Sequence, residues 1–201
     1  KIKENSGVLI QGHIKIHDPE SDKIFVDKRN AIHYENMSVA LAESVANQGQ
    51  GFINSMSFGN GGTSVDPTGI ITYLTPNSTG TNATLYNQTY TKIVDDRSVS
   101  NLDPQRNKIE TRHINGTNYT DVVVTCLLDY GEPNGQDAVD TASVSDSLYV
   151  FDELGLVSYS PSGTGKLLTH VIFHPVQKSL NRLIQIDYTV RVQSLTGFNE
   201  G

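Results

Sequence analysis

The chain has 201 residues and a formal net charge of −7, from 15 Lys and Arg against 22 Asp and Glu. That length supports one large domain, residues 1–201, whose core needs neither disulfides nor metal. The acid excess and the lack of a basic run exclude a nucleic-acid binder built on phosphate neutralisation, and no apolar run approaches the roughly 20 residues of a membrane-spanning helix.

Apolar residues make up 36% of the chain and charged residues 18%, with no Trp and with plentiful Asn, Thr, Ser and Gly. This balance suits many strands joined by polar turns better than a helical bundle. Residues 1–6 are polar and the apolar run behind them is short, so no secretory signal is read. The single cysteine, Cys126, lies in the apolar run 122–128 and reads as a buried structural thiol. A lone thiol fits folding in a reducing compartment, such as a bacterial cytoplasm.

In chain order, residues 8–16 have strand character, residues 17–22 supply turn residues, and residues 23–28 read as the return strand of a hairpin. One short helix is predicted near residues 37–47, because Met37, Ala40, Leu41, Ser44 and Val45 fall on one face at helical spacing. Asn36 is its expected N-cap and Gly49 its stop. Residues 52–58 form a strand that enters the turn Gly59-Asn-Gly-Gly62. Residues 63–91 hold Pro67, Pro76 and many Ser, Thr and Asn with little periodicity, and read as a long arm reaching a neighbouring subunit. A second hairpin pairs residues 108–114 with 121–128 across Asn115-Gly116. After an acidic loop at 129–146 come two short strands, 148–151 and 154–157, then strands at 166–173 and 183–192. The last alternates Ile184, Ile186, Tyr188, Val190 and Val192 against polar residues, which marks one dry face. The expected fold is mainly β: an antiparallel sandwich or barrel-like domain with one helix, long polar loops and flexible termini.

Several patterns invite a site. His13 and His17, and His170 and His174, have the four-residue spacing that places two metal ligands on one helix face. Both pairs fall in predicted strands, where such positions lie roughly 13 Å apart, so neither pair chelates one ion. Asp18, Glu20, Asp22, Asp95 and Asp96 lack the glycine and final glutamate of a calcium loop and read as solvated turn acids, with a cation between subunits left open. Gly163-Thr-Gly-Lys166 mimics the end of a phosphate loop, but Ser160 replaces the first glycine and Leu167 follows the lysine, so it reads as a turn. There is no Gly-x-Ser-x-Gly elbow, and no carboxylate pair stands out as glycosidic. Asn-x-Ser/Thr triplets occur at Asn36, Asn77, Asn82, Asn87, Asn115 and Asn118, as expected by chance in a chain rich in these residues. No catalytic, cofactor-binding or metal residue is assigned, and the chain is read as non-enzymatic.

Over roughly residues 31–193 the segment order resembles tailed-bacteriophage virion proteins, including the attachment modules of tail-collar fibres. The segments are Ile53-Asn-Ser-Met-Ser-Phe-Gly-Asn-Gly-Gly-Thr63, Leu85 after the loop, Asp152-Glu-Leu-Gly-Leu156, residues 167–173, Pro175-Val-Gln-Lys178 and residues 183–192. In overall character the chain is also similar to virion proteins of marine contractile-tailed phages. The resemblance implies a structural subunit of the tail, neck or collar, or baseplate-proximal region. Such a subunit contacts copies of itself and other virion proteins, is made in the host cytoplasm, and touches neither nucleic acid nor membrane. No fibrous sequence follows Val192, which departs from the fibre pattern and implies a stand-alone adaptor or decoration subunit. The expected contacts are the arm 63–91, the acidic loop 129–146 and the tail 1–7. A capsid decoration protein or head-fibre subunit is the alternative within the class. A carbohydrate-binding receptor is the alternative outside it, disfavoured by the absence of Trp.

Overall fold

The computed structural model describes residues 4–133 and 148–198. Eleven strands and one helix follow in the order β1 Glu4–His17, β2 Ile24–Ile32, α1 Tyr34–Val45, β3 Ile53–Gly59, β4 Thr63–Val65, β5 Ile71–Tyr73, β6 Gln88–Ile93, β7 Lys108–His113, β8 Tyr119–Leu128, β9 Leu148–Ser158, β10 Thr169–Ser179 and β11 Ile184–Phe198. Nine strands form one antiparallel sheet in the order β6-β3-β9-β10-β2-β1-β11-β8-β7, curled into a half-barrel, and β4 and β5 form a separate hairpin. Chain order explains the curl. Edge strand β6 leads to the opposite edge strand β7 through residues 94–107, which are stapled to both sides. Val94 and Asp95 donate their backbone N–H groups to Asn54 O at the start of β3, while Asp96 and Asn107 accept from Ile109 and Leu127.

The core lies inside the curl. Ile14 and Ile16 of β1, Met56 and Phe58 of β3, Leu154 and Leu156 of β9, and Ile184, Ile186 and Tyr188 of β11 are all fully buried. The alternation read in residues 184–192 is therefore real: its apolar side faces the core, and its polar side meets β8 and β1 on the outer surface. β7 and β8 pair from Lys108↔Thr125 to His113↔Thr120, with Gly116 at φ 87° in the connecting turn, as its Asn-Gly dipeptide predicts. Cys126 is fully buried, and burial pushes its thiol pKa up to about 12.

Four local expectations are corrected. The helix runs from 34 to 45 rather than from 37 to 47, and its N-cap is His33, whose Nδ1 accepts the Asn36 N–H. Asn36 instead faces inward and donates to Leu167 O. The helix stops before Gly49 because Asn47 already takes a positive φ of 52°. The two strands at 148–151 and 154–157 are one continuous strand, β9, whose acidic middle is buried. Finally, the backbone of residues 4–7 is not a loose tail but pairs with residues 195–198 of β11.

Candidate functional site

The long excursion between β3 and β6 does not swing free. It is tied down by two adjacent carboxylates of β9, Asp152 and Glu153, and by two histidines, His33 and His170. All four side chains are withdrawn from solvent. Sequence reasoning missed this cluster because an acidic pair inside Leu148-Tyr-Val-Phe-Asp-Glu-Leu-Gly-Leu156 reads as a break between strands. The signal was available. An acidic pair inside an apolar run must either end the strand or be fully hydrogen-bonded.

Glu153 Oε1 accepts the N–H groups of Asn87 at 2.8 Å and Gly61 at 3.2 Å. Its Oε2 accepts Tyr86 N–H at 3.0 Å and His170 Nε2 at 2.8 Å. His170 Nδ1 in turn accepts Asn77 N–H at 2.7 Å, so this nitrogen carries no proton and the ring is a neutral donor to Glu153 through Nε2. Burial raises the carboxyl pKa of Glu153, but the bonds from His170, Asn87 and Tyr86 outweigh it and hold the group below the ordinary glutamate value. Its neighbour goes the other way. Asp152 accepts from Gly62 N–H and from the Thr63 N–H and hydroxyl, yet burial, aided by the nearby Glu153 charge, raises its pKa.

The backbone is shaped to this chemistry. A Cβ on Gly59 would sit 2.4 Å from Asn87 O and 2.6 Å from Glu153 Oε1, so the glycine turn lets the chain close over the carboxylate. A Cβ on Gly155 would lie 2.3 Å from Thr169 O, which fixes glycine where β9 passes the start of β10. Across from Glu153, the β9–β10 register slips between Ile172 and Val176. That slip separates His170, which is buried, from His174, which is exposed.

His33 adds a further tie. It caps α1 through Nδ1 and donates from Nε2 to Gly80 O at 2.8 Å. Residues 77–80 are thus strapped by both histidines, and Leu85 and Thr89 bury on the way into β6. From this base the β4–β5 hairpin runs alongside β10, with Tyr73 near Phe25, Phe173 and His174. Asp66 builds its turn, with Oδ1 accepting from Thr68 N–H, Thr68 Oγ1–H and Ile70 N–H. Val65 and Ile70 flank this turn and are 62% and 64% exposed, whereas Tyr73 and Leu74 lie at the base of the hairpin, opposite Thr63 and Gly62.

Two concavities flank the sheet. A polar cleft of about 680 Å³ runs along the β6 edge, between Tyr90, Lys92 and the 100–103 segment. A mainly apolar groove of about 480 Å³ lies between α1, β3, β7, β8 and β11, lined by Leu41, Phe52, Ile53, Ile109, Val122 and Val192, with Arg97 at its rim.

The motifs weighed in the sequence stay apart. His13 pairs with Asp27 at 2.7 Å and His17 with Asp187 at 2.9 Å, each on the outer face of the sheet. Asp18 closes the β1–β2 turn by accepting from Glu20 and Ser21. Asp95 Oδ1 accepts from Arg97 N–H and Nε–H. Gly163 closes a turn onto Ser160 O, and Lys166 N–H bonds Ser158 Oγ. Among the described residues no group of three His, Cys, Asp or Glu side chains is placed to hold a metal ion. Most of the acidic loop 129–146 lies outside the described residues. Its opening, 129–133, is held by Lys178, whose Nζ donates to Asp129 O, Glu132 O and Ser179 O at 2.7–2.9 Å.

No protein-family model, curated protein or solved structure matches the chain.

Glu153 and His170, the one acid–base pair in the cluster, are both at 0% exposure and saturated by backbone groups. A general base needs hydrogen-bond reach to a substrate proton, and this pair has none to offer.

Proposed function

We propose that the chain is a non-enzymatic structural subunit of a tailed-phage particle, in the tail, neck or collar, or baseplate-proximal region. The observation that carries this reading is the braced hairpin. Buried charges cost stability unless fully bonded, and here they anchor a hairpin that leaves Val65 and Ile70 exposed beside its turn. Exposed apolar surface held in one shape is what a subunit contact needs. The order of the glycine turn, the Glu-Leu-Gly-Leu segment and the closing strand supports the particle setting. Mass spectrometry of purified particles, with location and copy number from particle microscopy, tests the reading. A few copies in a ring at the tail or neck is the expected result; a shell-wide lattice would favour capsid decoration, and absence from particles would overturn both.

A receptor role has one observation in its favour, the open polar cleft along β6, with Tyr90, Asn101 and Asp103 in its lining. Binding on a glycan array that is lost in Asn101→Ala would promote it.

A further inference from the structure

We propose that Asn115, in the β7–β8 turn, is a site of self-modification, and that the fold spares the same dipeptide at Asn60. Asn115 loses its side-chain amide by ring closure on the Gly116 nitrogen, which leaves aspartate or isoaspartate at position 115. The inference stands apart from the role proposed above, since it needs no partner and no particle.

Asparagine followed by glycine is prone to this reaction because glycine has no Cβ to shield its nitrogen. The chain carries the dipeptide three times, at 60–61, 115–116 and 134–135, and the last lies outside the described residues. The fold treats the other two in opposite ways. Asn60-Gly61 is locked into the clasp. Gly61 N–H donates to Glu153 Oε1 at 3.2 Å, Asn60 N–H donates to Asn87 O, and the Asn60 side-chain oxygen accepts from Asn87 Nδ2. A Cβ on Gly61 would meet both Asn87 N and Tyr86 Cβ at 2.8 Å, so this peptide has no room to turn.

Asn115 and Gly116 are both exposed, and a Cβ on Gly116 would meet nothing within 4 Å. Among the described residues no hydrogen bond engages the Asn115 amide or the Gly116 N–H. The turn is held only at its flanks, where Thr117 N–H and Oγ1–H both donate to Ile114 O. Gly116, at φ 87°, takes the third position of a type II turn. Glycine tolerates either sign of φ there, which lets the 115–116 peptide swing and present its nitrogen to Asn115 Cγ.

The step begins when base removes the Gly116 N–H proton. The nitrogen bonds to Asn115 Cγ, the Cγ–Nδ2 bond breaks, and Nδ2 takes up a proton and leaves as ammonia. Water then opens the five-membered imide. Attack at Cγ gives aspartate, and attack at the main-chain carbonyl carbon gives isoaspartate, whose backbone is one atom longer. Either product adds one negative charge to the turn. Isoaspartate also lengthens the span that the Thr117–Ile114 bonds close. β7 is an edge strand paired to β8 alone, so the longer turn loosens the near end of that ladder, His113↔Thr120.

The test is peptide mapping by mass spectrometry, with fragmentation that separates aspartate from isoaspartate. The full chain is aged in neutral and in mildly alkaline buffer, both folded and in denaturant. In the folded chain Asn115 should convert more than about tenfold faster than Asn60, because Asn60 must wait for the clasp to open. Conversion of Asn115 should quicken in the alkaline buffer, and in denaturant the two rates should draw together. Amide exchange at Thr120 should rise in aged protein before it rises in β11, and an Asn115→Ala chain should age without that change. Three results overturn the proposal: Asn60 keeping pace with Asn115 in the folded chain, a folded Asn115 that keeps its amide while the denatured chain loses it, or a rate difference that persists unchanged in denaturant.

Discussion

Two charged side chains are fully withdrawn from water on the β9–β10 ladder, near its two ends: Glu153, opposite Ile172, and Lys178, opposite Tyr149. They are mirror images in chemistry. The carboxylate sits among N–H donors from Gly61, Tyr86, Asn87 and His170, and the ammonium sits among the carbonyls of Asp129, Glu132 and Ser179. The outcomes differ. Glu153 is held below its ordinary pKa despite burial, while burial wins at Lys178 and lowers it to about 8, against the pull of Glu132 and Asp129. Bonds that include a polarised side-chain partner offset desolvation at Glu153. Three neutral carbonyls do not offset it at Lys178. The first site is a strong clasp for the excursion; the second is a pin held at some cost.

The sharpest way to break this contrast is Glu153→Ala. It leaves three backbone N–H groups and His170 without their acceptor, and we expect a loss of about 3–5 kcal/mol in chemical denaturation. Next is His170→Leu, expected to cost about 2–4 kcal/mol, since it strips one donor from the buried Glu153 and leaves Asn77 N–H unpaired. Its amide-exchange signature separates it from a general core defect: protection at Asn77 should fall before protection in β11.

Lys178→Met should cost less, about 1–3 kcal/mol near pH 7. Its pH dependence is the sharper readout. Between about pH 8 and about 10.4 the unfolded lysine binds more protons than the folded one, so its contribution to stability rises with pH across that window. Wild type should therefore gain on Lys178→Met between pH 8 and 10, and an unchanged difference would show that the cage does stabilise the charge. Cys126 works in the opposite sense. Its unfolded thiol ionises near pH 8.5 while the folded thiol stays protonated to about 12, so stability falls above about pH 9 and Cys126→Ala should flatten that fall. His33→Ala removes a fully buried ring with both its cap on α1 and its bond to Gly80 O, and should cost about 2–4 kcal/mol, read from the denaturation midpoint. Read as a free arm, residues 63–84 would be dispensable for folding. Deleting them removes partners of Asp152, His170 and His33, so a destabilised domain is now the expected result.

Elements whose pattern is local were legible. The alternation of residues 184–192, the Asn-Gly turn at 115–116 and the apolar run around Cys126 each fix a strand or turn from neighbours a few positions apart. The helix was found but misplaced, because Asn36 has a capping side chain while the group that caps, His33, is an uncommon choice. β9 was read as two strands because the burial of Asp152 and Glu153 is decided by donors 66 to 92 positions away in sequence. The excursion was read as an arm for the same reason: nothing in residues 63–91 announces the carboxylates that hold it.

The sequence by itself determined a mainly β chain, the inward face of its closing strand and the burial of its one thiol, because these follow from side-chain period and local turn chemistry. Only the tertiary structure decided that the glycine turn and the acidic Asp152–Glu153 pair belong to one buried clasp, and that the clasp anchors the β4–β5 hairpin. Carboxylates are buried only where many donors converge, and that convergence is made by three strands and a loop distant in sequence.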